Sequence, residues 1–376
     1  MYRVPVVDRD NIPMMPTKPS KARKLLRDGR AVGKFNKLGV YYIQLTFEPL
    51  GRETQPIVVG NDPGKKYTGI GVQSKNFTLF TAHLFLPFDT VKKRMEQRAM
   101  MRRSRRGRRI NRKVQFSLRS HRQCRFSNRR NKKIPPSIRS SRQLEISVIS
   151  QLSKIYPIST IVYEYVKTDV DLTSGRKGAR SGKGFSPVMV GQVWAIEQLS
   201  KIAPVVKKFG WQTSNLRKHL GLSKQKENKK EAVSATHAVD GTVLAASQFI
   251  DYLTFETQYG HGHCWQGRVT ITNAPFFIIR RPPISRRQLH LMIPTKGGVR
   301  RKYGGTTTPF GIRKGDLVQY KEQLGFCSGY TGKSISVSDH DWKRLGRFAV
   351  SKVNLVARST NLICKKIIGG AQFLYD

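Results

Sequence analysis

The distribution of apolar residues along the chain predicts a mixed α/β protein built around a sheet. Three apolar runs follow one another in residues 56–88, at 57–59, 67–72 and 77–86. Short apolar runs between turn residues are typical of buried strands. The first run ends at Asp62, directly before a Pro-Gly turn, so the pattern predicts a carboxylate at the tip of a buried strand.

Two later segments complete the predicted core. Residues 158–166 form a β-branched run that predicts a strand carrying Glu164, and an amphipathic helix is predicted before it at 137–155. A carboxylate on an apolar strand is costly unless it is paired or bound to a metal. Residues 229–250 predict a helix rich in small residues, on which His237 and Asp240 are three positions apart and share one face.

The segments between and around this core have weaker patterns. We predict a helix over 186–210, a short strand over 211–214 and a basic loop over 215–228. Residues 1–55 predict a small α+β unit with a strand at 4–7, a helix at 20–28 and a strand at 39–47. The remaining chain predicts many short strands and suggests a small barrel, with strands at 269–272, 276–279, 317–320, 325–329, 334–337, 352–357 and 362–368.

Charge changes this picture more than any other property. The 376 residues contain 70 Lys and Arg but only 23 Asp and Glu, for a net charge of +47. Self-repulsion on this scale opposes compaction, so a polyanionic partner is expected, and nucleic acid fits better than a membrane surface. No apolar run reaches the 18 or so residues of a membrane span, and the N-terminus does not resemble a signal peptide.

The strongest concentration of charge is internal. From Lys92 to Arg142 there are 21 Lys and Arg residues and one acid. Residues 90–110 can form a helix, but its apolar stripe is too weak to pack on a protein core. Like charges at i, i+4 also destabilise a helix by ~0.2–0.5 kcal/mol per pair. The run therefore predicts a phosphate-binding helix, with a disordered basic segment as the alternative; the candidate contacts are Arg102, Arg103, Arg105, Arg106, Arg108, Arg109, Arg112 and Lys113.

The four cysteines contain no Cys-x-x-Cys pair, so the sequence predicts neither a zinc ribbon nor a disulfide framework, and a reducing cytoplasm fits. His261, His263 and Cys264 lie within four positions and could bind zinc. Because no distant ligand pair accompanies them, a loop in a Gly-rich turn is the alternative that we favour.

Four residues could form a catalytic site: Asp62, Glu164, His237 and Asp240. In an RNase H-like sheet the first and fourth strands are neighbours, and the last helix crosses their ends, which would bring these side chains together. Carboxylate oxygens suit Mg²⁺ or Mn²⁺, and two ions could support phosphodiester hydrolysis while His237 accepts a proton. Each residue alone has an ordinary structural explanation, as a turn former, an edge residue or a surface pair.

Several motifs in this order resemble the IscB/IsrB family, RNA-guided nucleases encoded by insertion sequences and related to the ancestors of type II CRISPR effectors. The segment VPVVDRDNIPMMPTKPSKARKLLRDGRA is similar to the PLMP domain, with Met14 where the motif has Leu. GNDPGKKYTGIGV, IVYEYVKTD and THAVDGTVLA resemble the three RuvC motifs, and RRSRRGRRINRK resembles the bridge helix. GGVRRKYGG and GIRKGDLVQY resemble the part that reads the target-adjacent motif, so Arg300, Arg301 and Lys302 are further candidate contacts.

This resemblance implies an α/β fold in which an Arg-rich bridge helix splits an RNase H-like (RuvC) core, with a PLMP domain and a β-rich barrel-like C-terminal domain. The implied segments are 1–55 (PLMP), 56–88 (RuvC part I), 89–136 (bridge helix and basic linker), 137–214 (RuvC part II), 215–255 (RuvC part III) and 256–376 (target-adjacent-motif interaction). The implied metal ligands are Asp62, Glu164 and Asp240.

The spacing of the motifs refines the expected function. Only 73 positions separate Glu164 from His237, and no HNH nuclease occupies that interval, as in the IsrB branch. A single centre implies a nick, expected on the non-target DNA strand, by a monomeric protein bound to a guide (omega) RNA in the prokaryotic cytoplasm, associated with the nucleoid. The alternatives are a guide-independent junction or flap endonuclease and a non-catalytic RNA-binding protein that retains a nuclease fold.

Overall fold

The computed structural model describes residues 2–107, 110–118, 134–167, 187–226, 230–258, 260–283, 308, 310–367 and 369. The chain divides into two compact units. The first contains residues 1–86, 138–280 and 364–376, and the second contains residues 87–137 and 281–363. Among the described residues, no helix is both long enough and apolar enough to cross a membrane.

The described chain contains six α-helices and eighteen strands. The helices are α1 (Pro19–Arg27), α2 (Phe88–Gly107), α3 (Pro136–Leu152), α4 (Pro187–Leu199), α5 (Gly210–His219) and α6 (Val239–Ala246). The strands are β1 (Val4–Val7), β2 (Pro13–Thr17), β3 (Ala31–Phe35), β4 (Tyr41–Leu45), β5 (Ile57–Pro63), β6 (Tyr67–Ser74), β7 (Thr78–Phe85), β8 (Ile158–Glu164), β9 (Val205–Lys208), β10 (Ile250–Thr257), β11 (Gly260–Gly267), β12 (Phe276–Arg280), β13 (Leu317–Tyr320), β14 (Gln323–Thr331), β15 (Ser334–Ser338), β16 (Arg344–Ala349), β17 (Asn354–Ala357) and β18 (Ile363–Ile367).

The N-terminal residues form their own four-stranded sheet in the order β2-β1-β4-β3. Strand β1 is antiparallel to β2 and parallel to β4, while β3 and β4 are antiparallel. Helix α1 contributes Ala22 to a small apolar core with Val4, Val6, Ala31, Ile43 and Leu45. The predicted α+β unit in this part of the chain therefore has a separate hydrophobic core.

A seven-stranded sheet in the order β18-β12-β7-β6-β5-β8-β9 forms the centre of the first unit. Strands β5, β6 and β7 make an antiparallel meander, and β8 then returns parallel to β5. The predicted adjacency of the first and fourth core strands is thus present. Strand β9 adds in parallel to β8, and β12 adds in parallel to β7.

Helix α6 lies unusually close to this sheet because glycines face each other across the contact. A Cβ atom at Gly69 would collide with the backbone carbonyl of His237, and one at Gly60 would collide with the carbonyl of Gly241. The next glycine on β6, Gly71, faces the backbone of Thr242 in the same way. The absence of these side chains lets the backbone of the segment around α6 rest directly on β5 and β6.

The second unit contains the basic helix α2 and an antiparallel sheet in the order β16-β15-β14-β13-β17. Its apolar centre includes Val318, Cys327, Ile335 and Val337. Among the described strands, β16 and β17 are the two edges and are not paired with each other, so this sheet is open rather than closed into the predicted barrel.

Several predicted elements differ from the structure. Residues 211–214, predicted as a strand, lie in helix α5, where Thr213 and Leu216 are buried at helical spacing. The predicted helix 186–210 ends at Leu199, and its last part contains strand β9 instead, which begins directly after Pro204. Part of the predicted basic loop, residues 215–219, also belongs to α5. Helical geometry in the predicted helix 229–250 begins only at Ser234, in a π-helical turn whose Thr236 has non-helical angles (φ −91°, ψ −111°).

The C-terminal prediction also needs correction. Strands β12 and β18 extend the core sheet rather than a separate C-terminal sheet, because β12 pairs in parallel with β7. The predicted strand at 269–272 is irregular, and side chains bond several of its backbone groups. The Gln73 side chain donates to the Thr270 carbonyl. The hydroxyl oxygens of Thr78 and Thr272 each accept a hydrogen bond from the backbone amide of the other residue. The hairpin β10–β11 was missed because most of its residues are exposed on both faces, which removes the alternating pattern.

The glycine contact gives the first prediction. Replacement of Gly69 by Ala should lower the free energy of unfolding by about 3 kcal/mol or more, because a backbone carbonyl cannot move aside as a flexible side chain can. Gly51→Ala is the matched control, since no atom of the described chain lies within 4 Å of a Cβ placed there. Chemical denaturation measures both variants, and equal stability would contradict the proposed contact.

Candidate active site

Asp62 and Glu164 lie at the carboxyl ends of two adjacent parallel strands. The register of β5 and β8 pairs Asn61 with Tyr163, so the two acids occupy the next position on each strand. Side chains alternate between the faces of a sheet, which places both carboxylates on the same face at the same edge. This is the arrangement that the sequence predicted for the first two site residues.

The environment of Glu164 shows that the two carboxylates interact. The pKa of Glu164 is raised to about 7, mainly by burial and then by the negative charges of Asp62 and Asp240, while a hydrogen bond from Thr213 and the charge of Lys224 oppose the shift. The Thr213 hydroxyl donates to Glu164 Oε2 at 3.0 Å from helix α5. A buried acid next to a second negative charge forms a site that would gain stability from a bound cation.

His237 reaches the same edge of the sheet from the π-helical turn before α6. Its Nδ1 lies 3.7 Å from Asp62 Oδ2, and both side chains retain some exposure to solvent. The His237 ring stacks against Tyr67 with a centroid separation of 5.6 Å. The close approach at Gly69 places the His237 backbone against β6, so the position of the imidazole follows from the glycine contact.

Sequence reasoning missed a second histidine behind the first. His83 on β7 is fully buried, and its ring centroid lies 5.3 Å from that of His237. The Thr236 hydroxyl is 3.3 Å from His83 Nδ1. Burial lowers the pKa of His83 to about 3, with smaller contributions from His237 and Arg280, so this ring packs as a neutral group. The sequence contained one signal for this residue, since a histidine is unusual inside an apolar strand such as the one predicted at 77–86.

Asp240, the fourth predicted residue, is nearly buried but has other partners. Arg217 of α5 contacts Asp240 Oδ1 at 2.6 Å, and the Lys224 ammonium contacts Oδ2. Arg217 and Lys224 both lie in the segment predicted as a basic loop, so the sequence did not predict that either cation contacts Asp240. The charge of Asp240 acts on Glu164, yet each of its oxygens is bound by a cation.

The donor atoms fit a divalent cation in part. Carboxylate oxygens are the ligands that Mg²⁺ and Mn²⁺ prefer. The charge of Asp62 raises the pKa of Glu164, which fits two carboxylates that share one ion. Asp240 could join them only after Arg217 and Lys224 move away. Within the part of the chain that the structure describes, no three acidic, histidine or cysteine groups already converge as a metal site.

A buried ion pair supports the turn that follows Asp62. Arg142 and Glu145 of α3 form a salt bridge at 2.7 Å with almost no solvent exposure. Arg142 also donates to the Gly64 carbonyl at 2.7 Å, and Thr68 donates to Glu145 at 2.6 Å. The pair therefore connects α3 to both ends of the β5–β6 turn. Its signal in the sequence was an Arg and a Glu three positions apart on an otherwise apolar helix face.

The candidate nucleic-acid contacts are only partly described. Arg102 and Arg103 are exposed on helix α2, and Arg112 and Lys113 are exposed after it. The side chains of Arg105 and Arg106 lie outside the described structure, as do residues Arg108, Arg109, Arg300, Arg301 and Lys302. The helix itself agrees with the prediction for residues 90–110 to within three residues at each end.

The candidate zinc residues lie on strand β11 rather than in a loop. His261, His263 and Cys264 pair in register with Glu256, Thr254 and Leu253 of β10. Cys264 is directed to the opposite face from the two histidines because side chains alternate along a strand. His261 instead contacts Glu256 at 3.5 Å on the exposed surface.

The burial of Glu164 next to other acids predicts a pH-dependent stability in metal-free protein. The raised pKa of Glu164 means that the folded state holds this proton more tightly, so its contribution to stability is present below about pH 4.5 and is lost as the pH rises through about 7. Glu164→Gln should therefore be more stable than the wild type by about 3 kcal/mol at pH 8, and by much less at pH 5.

Denaturant unfolding in EDTA measures this difference, and added Mg²⁺ should reduce it by stabilising the wild type. Glu197→Gln is the matched control, because Glu197 is an exposed residue of α4. A Glu164→Gln protein that is no more stable than the wild type at pH 8 would show that burial and the neighbouring acids do not raise the pKa of Glu164.

Comparison with known proteins gives a family match and a structural likeness. A family model described as RRXRR protein matches residues 4–184. The chain is similar to the solved structure "T. thermophilus RuvC in complex with Holliday junction substrate". The similarity covers 51% of this chain and 90% of the other chain, with 13% sequence identity and a TM-score of 0.24. No curated protein sequence matches the chain. The family match thus spans the strands that carry Asp62 and Glu164, together with the sequence RRSRR at Arg102 to Arg106.

Proposed function

We propose that this protein is a metal-dependent endonuclease that nicks DNA under the direction of a guide RNA. The observation that carries the nuclease proposal is the pair Asp62 and Glu164, which interact at the ends of adjacent parallel strands. The match to the RRXRR family, a family of IscB-type nucleases, supports it independently. Both observations concern the part of the fold that the sequence identified first.

In this proposal Asp62 and Glu164 hold Mg²⁺ or Mn²⁺, and Asp240 joins them when Arg217 and Lys224 turn to the phosphates of the substrate. Bound as a pair, the ions would supply Lewis acidity at the scissile phosphate and at the attacking water. His237, with Nδ1 3.7 Å from Asp62, would accept the proton of that water. Thr213 would keep the Glu164 carboxylate in position through its hydrogen bond.

The charge distribution supports an RNA partner. A net charge of +47 greatly exceeds what a single cleavage site needs, and helix α2 presents arginines with little apolar surface to bury. The candidate phosphate contacts remain those predicted from sequence, from Arg102 to Lys113. A guide (omega) RNA bound there would pair with one DNA strand, leaving the other strand single and available to the catalytic site.

The remaining features of the proposal concern the assembly, the strand that is cut and the motif next to the target. The protein would act as a monomer in a ribonucleoprotein and would nick the displaced, non-target strand of a double-stranded target. Arg300, Arg301 and Lys302 would contribute to reading the motif next to the target, and the site of action would be the prokaryotic nucleoid. The resemblance of the motifs to the IsrB branch is the basis of these finer statements.

The catalytic assignment is tested by Asp62→Ala in protein purified with its copurified RNA. Nicking of a matched DNA target in Mg²⁺ should fall by about a thousandfold or more, because the site no longer has its first carboxylate. Binding of RNA and target should remain. Glu53→Gln, at an exposed acid outside the site, should nick at the wild-type rate.

The outcomes separate the alternatives. Equal nicking by Asp62→Ala would refute the site assignment. Cleavage of branched DNA by RNA-free protein would instead indicate a guide-independent junction or flap endonuclease. If the wild-type complex never cuts a matched target with Mg²⁺ or Mn²⁺, the protein is a non-catalytic RNA-binding protein.

The role of the arginine run is tested by the salt dependence of RNA binding. Replacing Arg102, Arg103, Arg105 and Arg106 with Gln should weaken binding and reduce the log–log salt slope by about 0.7–0.9 for each phosphate that is no longer neutralised. The same four positions changed to Lys keep the charge and should preserve the slope. An unchanged slope in the Gln variant would mean that these side chains do not contact phosphate.

A further inference from the structure

A cavity of about 310 Å³ lies next to the candidate active site, within the first unit. Its walls come from helix α5, helix α6, the exposed hairpin β10–β11 and the end of strand β9. This volume is at the lower end of the range for small-molecule sites, about 300–1,000 Å³, and therefore suits a ligand the size of one nucleobase with part of its sugar.

Three aromatic side chains line this cavity. Trp211 of α5 is 58% exposed and Tyr252 of β10 is 38% exposed, which is unusual for residues of this size. Trp265 of β11 also lines the cavity and is held in place by neighbours. The His219 ring stacks on it at 4.7 Å, and Tyr252 meets it edge-on at 4.9 Å.

Polar groups in the same cavity can recognise the edge of a base. Gln212 and Asn215 contribute amides, which can both donate and accept hydrogen bonds, and Asp251 contributes an acceptor. Gln212 is held in position because its Oε1 accepts a hydrogen bond from the Phe209 amide at 2.8 Å. Lys208 adds a positive charge to the lining, which suits the phosphate of a nucleotide.

Two residues connect the cavity directly to the candidate catalytic carboxylate. Thr213 lines the cavity and donates its hydroxyl hydrogen bond to Glu164. Lys208 pairs in register with Glu164 across strands β8 and β9. A nucleotide seated in the cavity would therefore lie within one side chain of the acid that is proposed to act on the phosphodiester.

We infer that the cavity binds one unpaired nucleobase of the DNA strand that is cut, next to the scissile phosphodiester. Flat aromatic walls, amides at the edge and a neighbouring cation together match a nucleotide better than an aliphatic ligand. The base must be unpaired, because in a duplex each base is stacked between its neighbours and its hydrogen-bonding edge is occupied by the partner base. This inference rests on the proposed nuclease function and adds a subsite that positions the strand.

The test uses the full-length protein with its copurified RNA and the Asp62→Ala substitution, so that DNA binds without being cut. Single-stranded DNA oligonucleotides carry the fluorescent base 2-aminopurine at one position at a time. We expect fluorescence quenching at one position, and about a tenfold loss of affinity with loss of that quenching in Trp211→Ala. Trp211→Phe should retain both, because a phenyl ring still stacks.

Tyr252→Ala is the second cavity variant and should also reduce quenching. Phe35→Ala is the matched control, since Phe35 is another exposed aromatic residue, 70% exposed on strand β3. Thermal unfolding of each variant shows whether it is folded. In the nicking assay with Asp62 intact, Trp211→Ala should raise KM for the DNA and leave kcat closer to the wild-type value, as expected for a binding residue.

The possible results test the base site, its assignment to the cut DNA strand and the proposed nuclease function separately. Quenching that is the same in Trp211→Ala and the parent protein overturns the base site, whether or not the protein cuts DNA. An RNA oligonucleotide of the same sequence that displaces the DNA equally well overturns the assignment to the cut DNA strand. Position-specific quenching in a protein that never nicks DNA would uphold the base site and refute the proposed nuclease.

Discussion

Gly60, Gly69 and Gly241 meet where the segment containing α6 crosses strands β5 and β6, and backbone there contacts backbone. A side chain at any of these positions would separate helix and sheet by the thickness of at least one methyl group. His237 lies immediately before α6, and its carbonyl is one of the groups in contact. The 3.7 Å approach of its imidazole to Asp62 therefore depends on glycines that carry no chemistry themselves.

The same edge of the sheet concentrates negative charge in a very basic protein. Burial and the negative charges of Asp62 and Asp240 raise the pKa of Glu164, because burial removes the water that would screen its charge. Arg217 and Lys224 neutralise Asp240, while Glu164 has only the Thr213 hydroxyl as a hydrogen-bond partner among the described groups. The surroundings of Glu164 therefore favour a bound positive charge, while the net charge of +47 on the whole chain favours a polyanionic partner.

Helix α5 connects these features. Its buried side supplies Thr213 to Glu164 and Arg217 to Asp240, and its exposed side supplies Trp211 to the aromatic cavity. Because one short helix contributes to both places, a strand held by the cavity would be positioned relative to the carboxylates without a separate domain. Trp211, Tyr252 and Trp265 line this cavity and supply the aromatic faces that the proposed base site requires.

The sequence by itself determined four strands of the central sheet, β5 to β8, together with the basic helix and the identity of Asp62, Glu164, His237 and Asp240 as candidates. Those features follow from local hydrophobic pattern, charge and motif spacing, which are properties of short segments. Only the tertiary structure decided that residues 211–219 form a helix, that β12 and β18 join the core sheet, and that Asp240 is bound by two cations. His83, Thr213 and the Arg142–Glu145 pair were not predicted, because the sequence shows these residues but not the groups that they contact. Their importance comes from partners that are distant in sequence, and contacts of that kind exist only after the chain has folded.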